Sequence, residues 1–109
     1  MVEFLLLQFQ RPGDANLHPV AVLLFDPCED RLHICGREEY ATIAEAEDAE
    51  VLAATVEQLQ KDAEIQSGTA ILKPLESTLS NSIRLTGRIA FSSLDLNATL
   101  RSLSAIFLS

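Results

Sequence analysis

Residues 20–25 read Val-Ala-Val-Leu-Leu-Phe, and this run limits the possible folds more than any other stretch. A short, continuous apolar segment rich in β-formers describes a strand buried on both faces. Turn chemistry follows in Asp26-Pro-Cys-Glu-Asp30. The Asp26 carboxylate can accept local backbone hydrogen bonds, and Pro27 presets φ for a turn. Arg31-Leu-His-Ile-Cys35 then alternates, with Leu32 and Ile34 on one face and Arg31, His33 and Cys35 on the other. The segment reads as a β-hairpin whose first strand runs mid-sheet.

The flanking sequence builds on this hairpin. Residues 2–10 form a first strand, with Leu5, Leu7 and Phe9 on one face and Phe4, Leu6, Gln8 and Gln10 on the other. Turn formers fill Arg11 to Asn16. Gly36 to Ala44 has no clear period and reads as a connection. Over Asp48 to Gln66, Ala49, Leu52, Val56, Leu59 and Ala63 recur at helical spacing. Glu45, Glu47, Asp48 and Glu50 crowd the start, where the helix dipole favours negative charge, and Gly68 is a natural stop. Thr69 to Leu79 fits a second short helix, in which Pro74 belongs near the first turn or introduces a kink.

Ser82 to Ile89 alternates as a fourth, half-buried strand. Ile83, Leu85, Gly87 and Ile89 face one way; Arg84, Thr86 and Arg88 face the other. Ser92, Ser93 and Asp95 offer N-caps for a final helix striped by Leu96, Leu100, Leu103, Ile106 and Phe107. The order is βββααβα. Strands and helices are segregated, which defines an α+β fold: an antiparallel sheet of about four strands with helices packed on one face. At 109 residues, 1–109 is expected to be a single domain.

Charge narrows the function classes. The net charge is −8, unevenly spread. Residues 1–66 carry fourteen acids and four bases, whereas residues 67–109 carry two acids and four bases. An acidic chain repels phosphate backbones, and with no Trp and one Tyr there is no base-stacking platform, so no nucleic-acid partner is expected. No run approaches the roughly 20 apolar residues of a membrane span, and no basic leader precedes Phe4 to Phe9. Two cysteines make no disulfide framework. The expectation is a cytoplasmic protein with free thiols.

Few residues carry recognisable chemistry. His18, Cys28, His33 and Cys35 are zinc-ligand types, but seven strand residues separate His18 from Cys28 by roughly 24 Å, and zinc holds its ligands within about 2.3 Å. No metal or other cofactor is expected. No Gly-x-Ser-x-Gly, phosphate loop or paired His-Glu helix motif is present. The acidic group at residues 45–50 winds around its helix instead of converging on a cation. Arg84 and Arg88, flanking Thr86, make the best polar candidate. At about 13–14 Å along one strand face, their guanidinium arms could embrace an anion or an acidic partner.

The run Val20-Ala-Val-Leu-Leu-Phe-Asp-Pro27, a helix, and Leu79-Ser-Asn-Ser-Ile-Arg84 together resemble a family of small uncharacterised bacterial proteins. In place of that family's Asn-Val/Ile-Gly-Val segment this chain has Pro19-Val-Ala-Val22. The resemblance implies a bacterial cytoplasmic protein without an assigned activity, and it carries over no catalytic residue.

With no catalytic constellation, the sequence points to a protein-interaction or regulatory domain acting on a partner protein or a second copy of itself. Its alternatives are a small hydrolase using His33, Cys35 or Arg84, and an anion or nucleotide sensor using Arg84 and Arg88. A homodimer is expected, with Leu103, Ile106 and Phe107 at the interface, because one small sheet face cannot easily bury both helical stripes.

Overall fold

The strand expected from residues 20–25 lies inside the sheet. The computed structural model describes residues 2–10, 13, 16–78, 83–86, 89–92 and 95–108. It contains β1 (Val2–Gln10), β2 (Leu17–Asp26), β3 (Arg31–Gly36), α1 (Ala46–Ile65), α2 (Gly68–Thr78), β4 (Ile83–Leu85), β5 (Ile89–Phe91) and α3 (Leu96–Phe107). All pairings are antiparallel, in the order β3-β2-β1-β4, and β5 also pairs with β1. The architecture is α+β. Val20, Ala21, Val22, Leu23 and Leu24 are wholly inaccessible, as a strand covered on both faces requires. Burying one such leucine contributes about 1.5–3 kcal/mol.

Pro19 lies within β2 yet does not break it. The register slips by one residue here: Leu7 pairs with Ala21, and Gln8 with Pro19. Val20 is the extra residue, and its carbonyl accepts the Arg37 N–H at 3.1 Å. A bulge is where a strand can accommodate proline, which has no N–H for the ladder.

Side chains alternate along β1, and the two faces meet different helices. Leu5, Leu7 and Phe9 join Leu23, Phe25 and Leu32 in a core closed by Leu52 and Val56 of α1 and Ile71 and Leu72 of α2. Phe4, one residue out of phase with Leu5, instead stacks on Phe107 of α3, with ring centres 5.5 Å apart and planes at 27°. The helices expected on one face are therefore divided, α1 and α2 on one side and α3 on the other. The connection 36–44 is anchored to the first side. It holds a 3-10 turn, Tyr40–Thr42, followed by buried Ile43 and Ala44.

The expected fourth strand is two short ones. Ile83, Arg84 and Leu85 pair with Phe9, Gln8 and Leu7. Ile89, Ala90 and Phe91 pair with Phe4, Glu3 and Val2, one residue out of that register. The slip exchanges faces. Ile83 and Leu85 lie beside the core, whereas Ile89 comes level with Phe4 on the α3 side and is 58% exposed. The shared face expected for Ile83, Leu85 and Ile89 does not hold, because an extra residue inverts every side chain beyond it. Gly87 lies outside the described residues.

Gly68 begins α2 rather than simply stopping α1. A Cβ there would come within 2.5 Å of Phe25 Cε1, so the position requires a residue without a side chain. Pro74 lies in the helix interior, not its first turn. It and Ala70, whose carbonyl it cannot bond, are both exposed, so water can satisfy the freed acceptor.

Candidate interaction surface

Helix α3 begins at the cap expected for it. Asp95 Oδ1 accepts from the N–H groups of Asn97 at 3.0 Å and Ala98 at 3.2 Å. Such a cap is worth about 1 kcal/mol. Ser93, another expected cap, lies outside the described residues. The far end is tied down by Arg37, which donates through Nε to the Pro19 carbonyl at 2.6 Å and through a guanidinium nitrogen to the Leu108 carbonyl at 3.3 Å. One guanidinium thus joins β2 to the end of α3.

Between these fixtures α3 lies over β2 and β3. Leu6, Val22 and Leu24 beneath are buried, but no residue of α3 itself is. Leu96, Leu100, Leu103 and Phe107 are half-buried, and Ile106 is 69% exposed. Ile89 and half-buried Phe91 extend the apolar surface along β5 on the same side of the sheet. Of the residues expected at a self-interface, Phe107 is partly spent on Phe4, Leu103 is partly open, and Ile106 is free of the core. Sequence reasoning missed Ile89, because its alternation places it inward.

The polar candidates occupy other positions. Arg84 is exposed on β4. Thr86 is half-buried and serves the sheet: its hydroxyl oxygen accepts the Leu6 N–H at 2.8 Å, and its own N–H donates to the Leu6 carbonyl at 3.0 Å. Arg88 lies outside the described residues.

His33 and Cys35 share a face as their alternation predicts, but open into different clefts. Cys35 lines one of about 430 Å³ with Glu38, Ser104 and Leu108. His33 lines another of about 390 Å³ with Gln60, Ala63 and Leu100. His33 Nε2 is buried and has no hydrogen-bond partner among the described residues. Cys28 is exposed in the hairpin turn, where its N–H donates to Asp26 Oδ1 at 3.0 Å. His18 pairs with Phe9 at the opposite end of β2. Among the described residues no three His, Cys, Asp or Glu side chains gather as metal ligands would.

Among the described residues, two titrating groups depart from their ordinary values. Burial pushes the Tyr40 phenol up, against the opposing effect of Arg37. Hydrogen bonds from the Thr69 hydroxyl and backbone hold the Asp30 carboxyl down.

Set against protein-family models, curated proteins and solved structures, the chain matches none. No helix among the described residues is long and apolar enough to cross a membrane.

Proposed function

We propose that this chain is a small bacterial interaction domain that acts by binding, and that it pairs with a second copy through α3 and the adjoining β5 strip. The observation that carries this reading is the incomplete burial of α3. Its apolar stripe rests on buried Leu6, Val22 and Leu24, yet Ile106 and Ile89 remain 69% and 58% exposed on that side. Apolar surface of this kind on a small chain marks a contact. Two-fold pairing of identical patches is the simplest way to close it. A cytoplasmic setting goes with the reading, supported by the free thiols of Cys28 and Cys35.

Light scattering after size exclusion tests the proposal. Wild type at micromolar concentration is expected at twice the 11.9 kDa chain mass. Ile106→Asp and Ile89→Asp should each yield monomer with little change in melting temperature, since both positions lie outside the core. A monomeric wild type overturns self-association.

A further inference from the structure

β3 is the outer strand of the sheet, and its free edge forms the floor of the His33 cleft. The antiparallel ladder sets which backbone groups face outward. In such a ladder a residue bonds to its neighbour through both its N–H and its C=O, or through neither, in alternation. Arg37, in register with Val20, donates its N–H to the Val20 carbonyl. Counting back in twos, Cys35 and His33 also bond to β2, while Ile34 and Leu32 turn both backbone groups away from it. Gln60 of α1 confirms this orientation independently: its Nε2 donates to the Ile34 carbonyl at 3.3 Å, reaching it from outside the sheet.

The cleft thus has a floor of outward-facing N–H and C=O groups, of which the Ile34 carbonyl is met only by the Gln60 side chain. Ala63 and Gln60 of α1 form one wall, and Leu100 of α3 lies on the other side. His33 lines the same slot, and its buried Nε2 has no hydrogen-bond partner among the described residues, whereas buried polar atoms in native structures are normally paired. We propose that this slot takes an extended peptide from another protein, added to β3 as a further strand, with a hydroxyl-bearing residue opposite His33. Strand addition supplies affinity through main-chain hydrogen bonds and specificity through alternate side chains. Gln60 is exposed, so its side chain can swing into water and leave the Ile34 carbonyl to a peptide N–H. The walls favour a lone strand: a second copy would bring its own α1 and α3 against those of the first. The inference stands apart from self-association through α3.

The probe is a capped peptide, Lys-Val-Thr-Val-Thr-Val-Lys, whose threonines all project to one side when it is extended. It is titrated into the isotope-labelled full chain and followed by amide shifts and hydrogen exchange. Peptide binding should shift and protect the Leu32 and Ile34 amides and move the Gln60 side-chain amide. N-methylating alternate residues along one peptide edge should weaken binding about tenfold, in line with lost backbone hydrogen bonds. His33→Phe should abolish the preference for this peptide over an all-valine version. Millimolar peptide that leaves those amides unmoved, or equal binding of the N-methylated form, overturns the proposal. A threonine preference that survives His33→Phe removes His33 from it. Edge pairing between two copies would instead appear as protection of the same amides without peptide, and would also overturn it.

Discussion

Asp30 caps a helix that begins far along the chain. Its Oδ1 accepts hydrogen bonds from both the N–H of Thr69, at 2.8 Å, and the Thr69 hydroxyl, at 2.7 Å, across 39 residues. Its carbonyl also accepts the Gly68 N–H at 2.7 Å. Asp30 adopts a φ of 54°, a left-handed conformation that aspartate tolerates better than most residues. Ser67 adds a local cap, its hydroxyl accepting the Ala70 N–H at 3.2 Å. The β2–β3 turn is therefore also the docking point for α2.

That relationship gives stability a pH dependence. The Thr69 hydrogen bonds lower the Asp30 pKa from its ordinary 3.8, so they favour the ionised form in the folded state. A depressed carboxylate contributes stability that is fully present above its unfolded pKa and is lost as pH falls through the folded one. Urea midpoints of wild type and Asp30→Asn should differ at pH 7 and converge below about pH 4. A constant difference down to pH 2 would show that the carboxylate charge plays no part.

Gly68→Ala should destabilise the protein by about 1–3 kcal/mol through overpacking against Phe25. Phe25→Leu, made alongside, should return part of that loss, because the two changes compete for one space. Additive losses in thermal melts would refute the close approach.

Adjacent positions on α1 should respond very differently. Leu52 is 1% exposed in the core, and Val51 is 58% exposed. Leu52→Ala should cost about 2–5 kcal/mol, and Val51→Ala less than about 0.5 kcal/mol. Similar costs in denaturant titrations would misplace the helix by a rotation.

The slipped register between β4 and β5 sets an analogous contrast. Ile83→Asp should unfold or strongly destabilise the chain, because Ile83 packs against the core cluster. Ile89→Asp should melt near wild type, because Ile89 is on the other side and exposed. Equal damage at both positions would restore a continuous strand with one inward face.

Much of this architecture is legible in residue order. The apolar run at 20–25, the alternation in 31–35, the α1 stripe and the Asp95 cap each act locally, so sequence spacing reports them directly. The divided edge strand is not legible. Ser82 to Ile89 alternates without interruption, and the slip exists only in its pairing with β1. The stripe on α3 likewise defines a dry side without saying which sheet face it will meet. The helix cap at Asp30, the Gln60 contact and the outward turn of Ile89 are not legible, because each depends on partners distant in sequence. The polar pattern Arg84, Thr86, Arg88 drew attention as a ligand site, yet Thr86 spends its hydroxyl on β1.

The position of β1 also bears on how the chain reaches this state. One side of β1 pairs with β2, its immediate successor, but the other side waits for Thr86, 80 residues on from Leu6. Closing a loop of that length costs entropy before any contact repays it. During synthesis, the chain must emerge as far as residues 83–86 before the outer side of β1 can be covered, and until then it is a bare template for strands of other molecules. Pulse-labelled exchange should accordingly find the β1–β2 amides protected earlier than those of residues 83–85; simultaneous protection would refute this order. The interval between those two events is when the nascent protein is most exposed to aggregation.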